Sequence, residues 1–264
     1  MHPKLSREVS AAGLVADGRA GPVVTEADLA GLPRPAQRYL TFMGVVGRPR
    51  DTSFRAQFRG RFRLGASHPW REVDALQYSS RPDVARIFHL RMRIAGLSVY
   101  GRDTYVHGHG RMWVRPLDLF TVQDARGPEY DIGELVTFLN DAVLLAPSML
   151  LGPGIAWSPV DDRAFDLAFT NEGTTVKARV FVDERGAPVD FETTDRFASV
   201  DPLDPTRKLV RARWTTPVEG YRAVDGRMLP TSGRAVWHLP KGDFPYIEFR
   251  FEPGDIAFNV APGL

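Results

Sequence analysis

The sequence predicts a mainly β (α+β) protein: a strongly curved antiparallel sheet or half-open β-barrel, with two or more helices covering the concave side. Three observations carry this. Segments that alternate apolar and polar residues recur along the chain. Glycine-containing turns separate them at short intervals. Only two later segments have helical spacing, too few for a parallel α/β fold, which needs a crossover for each strand pair.

Composition sets the outer bounds. The chain has 264 residues, 43% hydrophobic and 25% charged, as in a globular protein with a real core. Residues 1–24 are rich in Ala, Gly and charge and read as a flexible N-terminal tail; 25–264 read as a single β-rich half-barrel domain. No window approaches the roughly 18 apolar residues needed to span a bilayer. Met1 to Val24 lacks a continuous apolar stretch, so no secretory signal is predicted. Cytoplasmic is the default location, and envelope association stays open. The absence of cysteine excludes disulfides, thiolate metal sites and cysteine nucleophiles. The net charge of +2 divides into +10 over residues 1–115 and −8 over 116–264. Early and late strands sharing one sheet would offset these charges.

Taken in order, Thr25-Glu26-Ala27-Asp28 has the form of a capping box. Pro33 and Pro35 then begin a short helix, in which Ala36, Tyr39, Leu40 and Met43 share a face and which Gly44 stops. The most readable strand is 54–64. Phe54, Ala56, Phe58, Phe62 and Leu64 share one parity; Arg55, Gln57, Arg59, Arg61 and Arg63 share the other. Strand side chains alternate between faces, so this ribbon is apolar on one side and cationic on the other. Val84 to Ile94 alternates again. Ser98 to His107 and Arg111 to Arg115 flank His107-Gly108-His109-Gly110, which reads as a hairpin turn. Asp131-Ile132-Gly133-Glu134 resembles a helix cap. A stripe of Ile132, Leu135, Val136, Leu139 and Val143 follows, and Pro147 ends it. Further strands are expected around Phe165 to Phe169, Val176 to Val182, Val189 to Phe197, Arg207 to Thr216, Arg234 to Leu239 and Tyr246 to Phe251. Asp183-Glu184-Arg185-Gly186 and Asp225-Gly226 mark turns.

Several of these segments resemble an uncharacterised bacterial family of unknown function. They are Leu32 to Leu40, Gly101 to Arg115, the helix from Asp131 into Pro147, Trp157 to Arg163, and Val236 to Pro240. That family is similar in expected fold to the lipoprotein carriers (LolA-like) and to mycobacterial lipid-binding lipoproteins. The resemblance implies a half-open β-barrel with helices plugging its mouth. It brings no catalytic residues, and this chain shows neither an export signal nor a lipobox cysteine.

The residues themselves offer little chemistry. His107 and His109 could face the same way on a strand, but their glycines fit an exposed turn better than a metal site. Asp161 and Asp162 are adjacent, so on a strand they point to opposite faces. No Gly-x-Ser-x-Gly elbow, phosphate loop or Gly-x-Gly-x-x-Gly is present. Ser148 would be a nucleophile only if a base such as His238 came close. No catalytic residue, metal or cofactor is therefore assigned. The arginine face (Arg55, Arg59, Arg61, Arg63) suits a weak contact with an anionic surface. Its phenylalanines point the other way, which argues against sequence-specific nucleic acid or a stacking platform. The expected function is non-enzymatic binding or carriage of an apolar ligand, a lipid or acyl chain, on the concave face. Phe58, Phe62, Phe88, Met92, Tyr105, Trp113, Trp237 and Phe249 are the candidate ligand contacts. The alternative is an enzyme for a hydrophobic substrate, using His107, His238 or an acid at the barrel mouth.

Overall fold

The computed structural model describes residues 3–199, 208–252 and 254–262. Among them the chain begins with three helices: α1 (Pro3–Ala11), α2 (Glu26–Leu29) and α3 (Arg34–Phe42). Six strands follow: β1 (Ser53–Phe62), β2 (Arg71–Ser80), β3 (Ala85–Ile94), β4 (Leu97–Val106), β5 (His109–Pro116) and β6 (Gln123–Arg126). Helix α4 (Pro128–Leu145) and a 3-10 turn (Pro147–Leu150) lead to β7 (Ile155–Asp161), β8 (Ala164–Asn171), β9 (Thr174–Val182), β10 (Pro188–Ser199) and β11 (Leu209–Thr215). Three short strands come next: β12 (Val218–Glu219), β13 (Arg222–Val224) and β14 (Arg227–Leu229). β15 (Ser232–Leu239), β16 (Gly242–Arg250) and β17 (Ile256–Phe258) close the chain. Of the expected strand Arg207–Thr216, Arg207 lies outside the described residues.

One antiparallel sheet contains all of these strands except the β13–β14 hairpin, in the order β6-β5-β4-β3-β2-β1-β16-β15-β11-β10-β9-β8-β7; β12 pairs with β15, and β17 with β1. It curls through 274° as a half-barrel. This is the architecture expected from the alternating pattern. The two edges, β6 and β7, are consecutive in the chain. The segment joining them must cross the hollow of the sheet, and α4 is that segment. It is buried nearly all round, from Gly133 to Asn140 and from Ala142 to Leu145.

Register places the core. Phe58, Ala75, Leu90 and Gly101 form one cross-strand row on β1 to β4, so their side-chain positions share the concave face. Helix α3 packs at one end of the hollow. Its Ala36, Tyr39 and Leu40 are fully buried, and the Tyr39 hydroxyl donates to the Val143 carbonyl of α4 at 2.7 Å. The Thr25 capping box is formed, with Asp28 Oδ2 accepting from the Thr25 amide. The His107-Gly108 turn between β4 and β5 has both residues at positive φ, 51° and 80°, the conformation that a two-residue hairpin requires.

Four features differ from the sequence reading. Part of the segment expected to be a tail is α1. Its Leu5 and Val9 are buried against Tyr78 and Ile87 on the convex face, and its Glu8 meets His89 Nε2 at 2.6 Å. β2 and β7 are strands where none was expected. In β2 the concave residues Gln77 and Ser79 are polar yet buried, which hides the period-2 signal. Helix α4 starts at Pro128, before the Asp131 cap expected for it. Asp131 instead accepts the Gly110 amide at 2.6 Å.

The seam between β1 and β16 joins the early and late halves of the chain through only a short register, Arg59 to Phe62 against Ile247 to Arg250. Gly60 sits there because a Cβ would lie 1.8 Å from the Glu248 carbonyl oxygen. Gly60→Ala is expected to lower the unfolding free energy by about 1–3 kcal/mol, the usual cost of overpacking. Gly133→Ala, inside α4 with no atom within 4 Å of its added Cβ, is expected to raise it by about 0.5–1 kcal/mol. Urea denaturation of the two variants measures both changes.

Candidate functional site

The face of α4 that looks into the hollow is not apolar. Glu134, Thr137, Asn140, Asp141 and Leu144 recur at helical spacing and border a cavity of about 150 Å³. The sheet side of that cavity is largely aromatic. Phe58 is its hub, with ring centroids 4.6 Å from Phe251, 5.3 Å from Phe249 and 6.3 Å from Phe88. Phe62 meets Tyr246 edge-on, and Trp214 donates its indole N–H to the Tyr246 hydroxyl at 3.2 Å.

Six charged residues line this cavity: Arg86, Asp103, Glu134, Asp141, Arg196 and Arg234, the last exposed at its rim. Arg86 is saturated. Its Nε donates to Asp141 Oδ2 at 2.7 Å and its Nη1 to Glu134 Oε2 at 3.1 Å. The Gln77 amide donates to the same Asp141 oxygen at 2.8 Å. Thr216 donates to Asn140 and ties α4 to the late strands. Arg196 is placed differently. Its guanidinium lies 4.3 Å from the Trp214 ring centroid and 5.6 Å from that of Trp237. Its Nε is buried without a hydrogen-bond partner. Among the described residues it forms no ion pair with Asp103 or Glu134, although both carboxyls feel its charge.

Burial acts on these acids. Glu134 is 6% exposed; desolvation, aided by the neighbouring Asp103 carboxylate, pushes its carboxyl up to about 7 against the pull of Arg86. Desolvation also raises Asp103, opposed by Arg86 and Arg196. A carboxyl held near neutrality inside a cavity is a common property of functional sites.

The structure brings four of the eight expected ligand contacts to the cavity wall: Phe58, Phe62, Phe88 and Phe249. Met92 and Tyr105 share the concave side with Phe88 by register but lie in packed core beyond the cavity. Trp237 stands behind the wall, stacked on Tyr246. Trp113 is on the convex face, opposite Arg102 in register and beneath the guanidinium groups of Arg102 and Arg111. One residue of offset on β5 decides this, since Met112 is the residue opposite Asp103.

None of the histidines raised for chemistry reaches the cavity. His107 meets the Ala12 carbonyl, His109 is exposed, and His238 lies between Thr215 and Asp243. Ser148 is buried against Asp51, which is paired with Arg227. Asp161 accepts the Arg163 amide and caps a turn. Among the described residues no group of three or more His, Asp or Glu is placed to hold a metal ion. No helix among them is long and apolar enough to cross a membrane. On the arginine ribbon, Arg61 pairs with Glu248, and Arg63 donates to the Pro245 carbonyl and lies over Trp70. These contacts leave less of its charge for an outside anion. A broader cleft of about 750 Å³ outside the sheet, among Arg59, Arg61, Glu72, Glu248 and Arg250, shares only Val218, Gly233, Arg234 and Phe249 with the cavity.

The model of a family of unknown function, DUF6544, matches residues 22–249. The chain belongs to DUF6544. The matched span contains every cavity residue except Phe251. No curated protein matches the chain. Among solved structures it is similar to a LolA superfamily protein from Nitrosomonas europaea, at 14% identity and TM-score 0.44, over 91% of this chain and 96% of that one. A DUF1329 family protein from Desulfovibrio piger is similar at 13% identity and TM-score 0.43, over 90% and 95%. A domain described as an outer membrane lipoprotein-sorting protein, from Vibrio parahaemolyticus, is similar at 12% and 0.39, over 78% and 85%.

The Glu134 shift has a consequence for stability. An acid with a higher pKa in the folded state holds its proton more tightly there. Its favourable contribution is complete below the unfolded value of 4.5 and is lost as pH rises through about 7. Between those values the unfolding free energy is expected to fall by at most roughly 3 kcal/mol on this account. Glu134→Gln is expected to remove that part of the slope. Urea midpoints of both proteins from pH 5 to 8 measure it, and identical slopes would contradict the assignment.

Proposed function

We propose that this chain is a non-enzymatic binding or carrier protein for an apolar molecule, a lipid or acyl chain, held on the concave face of its curved sheet. The hollow between α4 and the Phe58, Phe62, Phe88, Phe249 and Phe251 wall carries this reading. Concave aromatic surfaces with a few convergent polar groups are the usual form of small-molecule sites. A cavity of about 150 Å³ has room for a guest the size of a benzene ring. Here that corresponds to one end of an acyl chain, so the rest of a longer ligand lies outside it. Five or six buried carbons contribute about 4–5 kcal/mol at roughly 0.8 kcal/mol each. Apolar contact alone therefore supports affinities near millimolar.

Native mass spectrometry after gentle purification and titration with a fluorescent fatty acid test the proposal. A ligand-free mass together with no binding of the fatty acid counts decisively against it. Leu144→Trp is expected to fill the hollow from the α4 side. Binding should weaken at least tenfold, while stability changes by no more than the roughly 1–3 kcal/mol of an overpacked core.

A further inference from the structure

Two of the three cations that line the cavity, Arg86 and Arg196, have unequal partners, and this inequality points to the chemistry of the guest; the third, Arg234, is exposed. Arg86 has a carboxylate on each side of its guanidinium. Arg196 has none, and its buried Nε–H is left without an acceptor. A buried donor without an acceptor is costly, more so when it is charged. The indole faces of Trp214 and Trp237 hold the guanidinium by cation–π contact. That leaves its hydrogen-bonding edge for another partner. The other groups around the space are Asp103 from β4, Glu134 and Asp141 from α4, Arg86 from β3, Arg234 from β15 and Tyr246 from β16. An anion placed on Arg196 therefore comes to stand among carboxyls.

We propose that Arg196 is the counter-charge for a carboxylate at the end of the apolar ligand, and that Glu134 takes up one proton from solvent when that carboxylate enters. The proposal rests on the binding reading above and adds which end of the ligand is inside. A carboxylate gains a charge-assisted, directional partner in Arg196, whose planar fork matches it. Protonating Glu134 removes one of the repulsions, and burial already holds that carboxyl close to neutrality. Arg86 keeps its second partner, Asp141, throughout. No bond is made or broken. The balance is one ligand anion and one proton in, with the charge of the cavity unchanged.

The test is calorimetric titration of the full chain with hexanoate, and with hexan-1-ol as the uncharged counterpart of the same length. Hexanoate should bind at least tenfold more tightly than hexan-1-ol at pH 6. Its Kd should rise about five- to tenfold between pH 7 and pH 8, the limit for uptake of one proton being tenfold. At pH 8 the heats measured in phosphate and in Tris should differ by close to one proton per ligand. Arg196→Gln should abolish the preference for hexanoate over hexan-1-ol. Glu134→Gln should remove the pH dependence of the hexanoate Kd. The wild-type pH and buffer series decides the matter even if either variant folds poorly. Equal affinity for hexanoate and hexan-1-ol, or hexanoate binding independent of pH, overturns this inference and leaves the binding reading intact. Failure of both ligands to bind overturns the binding reading itself.

Discussion

The structure depends on a helix that, from Gly133 to Leu145, has no exposed side. α4 and the 3-10 turn after it connect the two edges of the half-barrel, and α4 packs inside the curl against strands of both halves. Its backbone is satisfied by its own hydrogen bonds, but its side chains include Glu134, Asn140 and Asp141, which a packed interior accepts only if each finds a partner. Arg86 and Gln77 supply those partners from β3 and β2, and Thr216 from the link that follows β11. A buried ion pair of this kind adds little net stability compared with an apolar pair of the same shape, while the loss of one partner is expensive. Its effect here is positional. It fixes which face of α4 looks onto β2 and β3, and hence which side chains border the cavity.

The same arrangement sets the chemistry of the hollow. The early strands contribute aromatic side chains and Arg86, which is paired with two carboxylates; the late strands contribute the Trp214, Trp237 and Tyr246 cluster and Arg196, which is paired with none. The two sets come together because β1 and β16 close the sheet. The α4 side of the cavity is thus polar and charged, and the sheet side is largely aromatic with Arg86, Asp103 and Arg196 set into it. Such a surface suits a molecule with one greasy and one polar part better than a plain hydrocarbon. The small volume is consistent with α4 packing inside the curl against strands of both halves.

Much of the architecture was legible along the chain because it rests on local periodicity. The Phe54 to Phe62 parity gave the concave face of β1. Ala36, Tyr39, Leu40 and Met43 named the buried stripe of α3, and all four are buried. The paired glycines of His107 to Gly110 marked a real hairpin. The failures share one cause: a polar residue in the core or an apolar one outside it. Gln77 and Ser79 concealed β2. Leu5 and Val9 bury an outer helix in a segment whose composition looks mobile. Trp113 is a large aromatic on the wrong side of its strand, and arginine side chains cover it there. The Glu134, Thr137 and Asp141 stripe has the spacing of a solvent face, so nothing in the helix alone identifies it as the wall of a cavity.

By itself the sequence determined the strand and helix periods, the sense of the concave face on β1, and the absence of thiol chemistry. These follow from residue spacing and type, which act within a few positions of one another. Only the tertiary structure decided that α4 is interior, that Arg86 is spent on two carboxylates while Arg196 has none, and that the histidines are scattered. Those outcomes depend on pairings between residues far apart in the chain, such as Arg86 with Glu134 and Gln77 with Asp141. The curl of the sheet brings these residues together, and no local pattern encodes it.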